Sequence, residues 1–299
     1  MYFSFTTVIH KNRNITVLPK NSAESGFTIL EISIVLSVLA LLTGAILAGK
    51  SLIGNAEIKT VVQQAGQFSL VTNQFYTEYK ALPGDMENAT DFWGAADADN
   101  DACKLLDKSG MVETCNGNGN GDITANNYEP YLYWQHLKNA NFIEGDYSGT
   151  ANHGCGAAPN CKFAHLPGVN SPVVKINGVS AGWGMKDAGY QDGVAPNNNW
   201  FIGQYSHSLF FGASNSGNAL PINPALTPRQ LWSLDKKLDD GKPAQGIIVT
   251  RTSEYNPVAD CTVEAEGSTA PSAFDDMEAA YNLKNDNIVC NFMLRNLFE

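Results

Sequence analysis

The residues whose types and spacing could do chemistry lie in three places along this 299-residue chain. Glu31 is the one carboxylate in a run that is overwhelmingly apolar from Phe27 to about Ile53. An unpaired carboxylate in hydrocarbon costs free energy whether it is protonated or charged, so its presence points to use rather than anchoring. The first cation in the same helix is Lys50, about 28 Å away at roughly 1.5 Å per residue. A partner for Glu31 is therefore expected outside that helix. In the second place, Cys115-Asn116-Gly117-Asn118-Gly119-Asn120-Gly121-Asp122-Ile123 can be laid on a calcium loop. Asn116, Asn118 and Asn120 take its first, third and fifth ligand positions, Gly121 the turn and Asp122 the backbone-carbonyl position. The departures are Asn at the first position and Asn127 at the last, with Glu129 two residues late. The third place is His153-x-Cys155-x5-Cys161-x3-His165, which offers zinc-type ligands at a spacing that is not a standard one.

Six cysteines, all beyond the apolar run, fit three disulfides in an oxidising compartment. Local pairing gives Cys103–Cys115, Cys155–Cys161 and Cys261–Cys290, and a Cys155–Cys161 bond is the simpler alternative to zinc. Gly-x-Ser-x-Gly, His-Glu-x-x-His, a phosphate loop and a dinucleotide fingerprint are all absent from the sequence. The expectation is a protein that is not an enzyme and requires no cofactor, with calcium at the Asn-Gly loop as the one ion to consider. Net charge is -11. Loss of residues 1–26, with Lys11, Arg13 and Lys20 against Glu24, would leave -13. Such a surface argues against nucleic acid as a partner.

Gly26-Phe27-Thr28-Ile29-Leu30-Glu31, followed by the apolar run, resembles the processing and methylation signal of type IV prepilins and type II secretion pseudopilins. The resemblance rests on the glycine before the cut, the phenylalanine after it, the glutamate at the fifth mature position and the unbroken apolar helix. It implies cleavage after Gly26 by a prepilin peptidase, methylation of the new amine of Phe27, and pairing of Glu31 with that amine on a neighbouring subunit. The basic residues of the leader would keep it in the cytoplasm. The C-terminal region would then cross the bacterial inner membrane into the periplasm, as a single-pass protein later drawn into a filament. At 26 residues the leader is long for the family, and a later start at Val17 or Leu18 is an expectation that precursor mass spectrometry tests.

The elements that must position these residues follow in order. Residues 27–53 read as the transmembrane and assembly helix, and 54–80 as its amphipathic continuation. Ile58, Val61, Ala65, Phe68, Thr72, Phe75 and Tyr79 recur there every three or four residues. Leu82-Pro83-Gly84-Asp85 ends the helix in a turn and opens a globular head over 81–299. A helix is expected from Tyr128-Glu129-Pro130 to Asn141, capped by Asn126 or Asn127, with Tyr133, Leu137 and Ala140 inward and Trp134 and His136 flanking. Residues 144–198 read as long loops with short strands near Val173–Val179. Trp200 to Phe211 reads as a strand with Phe201, Tyr205, His207, Leu209 and Phe211 on one face. Thr227 caps a helix to Leu238, with Gln230 completing a capping box. Gly246–Thr250 reads as a further strand, and Cys261 and Cys290 bracket a final loop. The Leu-Pro-Gly-Asp turn, the run Tyr133-Trp134-Gln135-His136-Leu137, and the late helix, acidic turn and strand resemble one group of large prepilin-like proteins.

The fold class expected is α+β, pilin-like: one long helix on an antiparallel sheet with long loops. The resemblance implies a structural subunit of a type IV pilus or secretion pseudopilus. Its partners would be other such subunits, the prepilin peptidase, the inner-membrane assembly platform and, before assembly, membrane lipid. A second reading, a binding module or adhesin at a filament tip, rests on the long polar loops of the head.

Overall fold

The computed structural model describes residues 26–125, 128–151, 164–191, 200–214, 219–250, 260–268, 270 and 272–295. The chain forms two compact units, Met1–Lys50 and Ser51–Glu299, and the boundary falls inside a single helix, α1 (Ile29–Tyr79). Every residue from Gly26 to Ala48 is exposed. The N-terminal helix is long and apolar enough to cross a membrane.

In the second unit the rest of α1 buries Ile58, Val61, Ala65, Phe68, Val71, Thr72 and Phe75. This stripe packs on an antiparallel sheet with strand order β1-β2-β3-β7-β4, so the unit is α+β. The strands are β1 (Val173–Ile176), β2 (Val179–Gln191), β3 (Gly203–Ala213), β4 (Ile248–Thr250) and β7 (Phe292–Leu294). A separate pair joins β5 (Thr262–Val263) to β6 (Ala280–Tyr281). Phe68 meets Trp183 of β2 edge-on at 5.8 Å, and the Trp183 indole donates to Gln64 Oε1 at 2.8 Å. Trp183, Leu209, Phe211 and Phe292 belong to the same core as the helix stripe.

Several sequence expectations change. The loops expected over 144–198 contain β2, the longest strand of the sheet. Three glycines, Gly182, Gly184 and Gly189, dilute its strand signal. Its hairpin with β1 turns on Asn177 and Gly178, at φ 52° and 76°, the two-residue turn that Asn-Gly favours. Strand β3 does not bury one face alone. Phe210, between Leu209 and Phe211, packs with Trp200, Phe201, Leu220 and Met293 in a second core. Both faces of the sheet are therefore covered there, and alternation cannot show it. His207, assigned from sequence to the core face, is half-buried. Strand β7, just beyond the loop that Cys261 and Cys290 bracket and assigned no element by sequence, lies between β3 and β4.

The remaining helices are α2 (Ala89–Trp93), α3 (Asn100–Leu105), α4 (Glu129–Asn139) and α5 (Pro228–Leu238). Thr227 and Gln230 form the reciprocal capping box of α5. Helix α4 is buried throughout from Glu129 to Leu137, so Trp134 and His136 are core residues rather than flanking ones. Its N-cap is Tyr128, with φ 63°, while Asn126 and Asn127 lie outside the described residues.

Candidate functional site

Two places gather polar chemistry. At the start of α1, Glu31 is held by local hydrogen bonds. Its Oε2 accepts from the main-chain N–H and from the hydroxyl of Thr28, both at 2.8 Å, and Thr28 Oγ1 accepts from the Glu31 N–H at 3.2 Å. This is a reciprocal capping box, a Thr-x-x-Glu pattern readable in the sequence. Neutral donors at a helix start satisfy a carboxylate without a cation, and these local bonds leave the expectation of a partner from outside the helix as it stands. The other hydroxyls of the apolar half are satisfied in the same local way. Ser33 donates to the Leu30 carbonyl, Ser37 to that of Ser33, and Thr43 to those of Leu39 and Ala40. Gly26 and Phe27, on either side of the expected cut, are exposed.

The second place is the turn after α1. Gly84, at φ 85°, donates its N–H to His136 Nδ1 at 3.0 Å. With Nδ1 accepting, His136 carries its proton on Nε2, which faces Thr114 Oγ1 at 3.0 Å and the Cys115 carbonyl at 3.3 Å. A Cβ at Gly84 would lie 2.4 Å from the Glu129 carbonyl, so only glycine lets the turn reach α4. Burial holds the His136 imidazole down to about 3, with nearby Lys108 acting in the same sense. Histidine is here the neutral pin between the Leu-Pro-Gly-Asp turn, α4 and the Cys103–Cys115 disulfide. Lys108, itself buried, donates to the Cys103 and Leu106 carbonyls at the end of α3, and burial lowers its amine to about 8.

Beside this pin, the Asn-Gly loop wraps a carboxylate of the chain itself. Asp85 accepts from the Asn120 N–H at 3.1 Å and the Gly121 N–H at 2.9 Å, while the Gly119 N–H donates to the Asp85 carbonyl. A Cβ at Gly117 would lie 2.3 Å from the Asp85 carbonyl carbon. The four candidate calcium ligands are placed as follows. Asn116 Oδ1 accepts from the Thr90 N–H, Asn118 Oδ1 from the Asn120 N–H, and Asn120 Oδ1 from the Asp122 N–H. Asp122 is exposed. Glu129 accepts from the Thr124 N–H and hydroxyl. Burial raises both Asp85 and Glu129 above the usual carboxylate range, with the Asp122 charge adding to the first and the Asp85 charge to the second. Sequence reading missed Asp85 as the anchor of this loop, since its N–H partners lie more than thirty residues away and no local pattern links them.

Among the described residues, the acidic side chains whose oxygens lie within 4.8 Å of one another are Asp235, Asp239 and Asp240. Asp235 accepts from the Tyr281 hydroxyl at 2.6 Å and the Gly241 N–H at 3.1 Å, and Asp239 from the Ile247 and Ile248 N–H groups. Burial pushes Asp235 up to about 7, the Asp240 and Asp239 charges adding to it.

No family model, curated protein or solved structure matches the chain. Function therefore rests on the residues. Cys103 is bonded to Cys115 and Cys261 to Cys290. His153, Cys155 and Cys161 lie outside the described residues. His165, the fourth member of the zinc-type spacing, is buried, with Nε2 at 2.8 Å from Ser171 Oγ and 3.2 Å from the Trp183 carbonyl. Burial lowers its imidazole to about 4.

Proposed function

We propose that the chain is a membrane-anchored filament subunit of the type IV pilin or pseudopilin kind, cut after Gly26 and assembled through residues 27–53. The observation that carries this reading is an entirely exposed apolar helix half whose single carboxylate sits in its first turn. A surface of that size and character is not left in water. It belongs in lipid before assembly and against the same segment of other subunits afterwards. Prepilin peptidase, the assembly platform and an oxidising periplasmic location for the disulfide-bonded head follow from the same reading.

The capping box adds a physical role for Glu31. Cleavage after Gly26 would place a new ammonium at Phe27, beside the positive end of the α1 dipole, where a cation is unfavourable. A carboxylate in the first turn offsets both charges. Glu31 can serve its own helix in the membrane and a neighbour's amine in the filament, exchanging one set of N–H donors for another.

The test compares Glu31→Ala with Thr28→Val. Both break the capping box, and only the first removes the carboxylate. Glu31→Ala is expected to insert and mature normally yet fall out of sheared filaments, while Thr28→Val is incorporated. Equal incorporation of the two variants would reduce Glu31 to a helix cap. A Gly26→Leu variant that still matures would place the cut elsewhere.

A further inference from the structure

A cleft of about 700 Å³ opens in the second unit where the last turns of α1, the turn after it, the Asn-Gly loop and β3 come together. We propose that this cleft binds a neutral oligosaccharide. The inference stands whether or not the chain assembles into filaments.

The walls of the cleft differ from the pin beside it in one respect. His136 in the pin, and Asp85 where it lines the cleft, spend their hydrogen-bonding capacity on the protein. In the cleft, the Tyr76 hydroxyl, the Lys80 ammonium, the Glu87 carboxylate and the Asn88 carboxamide make no hydrogen bond or ion pair with the described residues. Asn88 stands at the N-cap of α2 and still makes no capping bond. Asn73 uses its Nδ2 on the Ser69 carbonyl, leaving its carbonyl oxygen facing outward. Donors and acceptors without protein partners therefore share one concave surface, Lys80 and Glu87 among them.

The chemistry of the occupant follows from that set. Lys80 and Glu87 are both exposed, and the third charged side chain of the lining, Asp85, has its carboxylate oxygens on the Asn120 and Gly121 N–H groups. Exposed charges contribute little each to holding an ion. The acidic balance of the chain, -11 overall, disfavours a polyanion. What fits is a neutral molecule carrying many hydroxyls, each able to donate and accept. Tyr76 adds the apolar part of the match. Tyr76 is 52 % exposed and stacks on no other aromatic side chain among the described residues, which leaves its ring available to the C–H groups of a sugar. Tyr79, next along the cleft, is fixed by Phe75, Phe92 and Trp93 and gives the floor rigidity. A cleft of a few hundred Å³ with convergent polar groups and an aromatic wall is the usual form of a small-ligand site.

The experiment is calorimetric titration of the full chain, purified in a detergent without a sugar headgroup. The probes are cellotetraose, maltotetraose, chitotetraose and β-1,4-galactotetraose, with tetragalacturonate and the dipeptide Ala-Ala as the anionic and zwitterionic alternatives. At least one neutral tetrasaccharide is expected to bind with Kd below about 1 mM, a magnitude ordinary for an open site. Tyr76→Ala should weaken that binding about tenfold while Tyr76→Phe retains it, as stacking on a ring face requires. Asn88→Ala should weaken it roughly fivefold, the scale of one lost hydrogen bond. Melting temperature checks that each variant is folded, and Asn88→Ala serves if Tyr76→Ala is not. Failure of all four neutral probes overturns the proposal. So does unchanged affinity in a folded Tyr76→Ala or Asn88→Ala variant, or tighter binding of tetragalacturonate or Ala-Ala.

Discussion

The two halves of α1 share one backbone and meet opposite surroundings. From Gly26 to Ala48 no side chain is covered, and Leu36 keeps 60 % of its surface open. From Ile58 to Phe75 the helix buries a residue every third or fourth position, and Phe68 and Phe75 are almost wholly enclosed. Periodicity is the mark of the second half because only one side is covered. The first half has little periodicity, and none of its sides is covered within the chain. A helix can thus carry two folding instructions in sequence, one complete within the chain and one that waits for something else.

The largest effect expected from breaking this contrast is at the joint that closes the second half. Gly84→Ala places a methyl against the Glu129 carbonyl at a φ of 85°. The head is expected to lose more than about 3 kcal/mol, seen as a fall in its denaturant midpoint. Next, Phe68→Ala should cost about 3–5 kcal/mol through the cavity it leaves. Leu36→Ala, a comparable truncation in the first half, should leave the same midpoint unchanged. A loss of head stability in Leu36→Ala would mean that the two halves are not independent. The smallest effect is the capping pair: Thr28→Val should lower helicity of the first turn by an amount worth about 1 kcal/mol, read by hydrogen exchange.

Titration sharpens the comparison within the head. His136 and His165 are held below an ordinary histidine by burial. The unfolded chain then binds more protons than the folded one as pH falls from about 6.5, and this contribution to stability is lost towards pH 3. Asp235 is raised, so its contribution is full below about pH 4 and lost as pH rises through 7. The two trends oppose each other across the same range. Denaturant midpoints of Asp235→Asn should rise with pH between 3 and 6.5 more steeply than those of the parent, and those of His136→Gln less steeply. Parallel profiles would show that neither group is buried as described.

How far the sequence could be read depends on how local each instruction is. The stripe on α1, the Thr227–Gln230 box of α5 and the turn after Tyr79 are written in consecutive residues and were legible. The Thr28–Glu31 box was equally local, and was obscured because the carboxylate drew attention as a charge rather than as a cap. Strand β2 was hidden by its own glycines, although Asn177-Gly178 marked its hairpin. Strand β7 is only three residues long, and its place between β3 and β4 depends on partners far along the chain. The inward position of His136 could not be read from α4 alone, because what buries it is the turn at Gly84 and the loop at Cys115. Of the polar sites, Glu31 was legible as a position and not as a contact. Asp85 was legible only as part of a turn.

One feature of the first half bears on how such a segment moves. Ser33, Ser37 and Thr43 turn their hydroxyls back onto carbonyls of the same helix. Between Glu31 and Lys50 the surface then offers neighbouring chains shape and dispersion, with its hydroxyl protons already committed. Contacts of that kind can set register only through the fit of side chains, ridge into groove, with no hydrogen bond to hold it. Any polar latch between chains would have to sit at the two ends of this stretch.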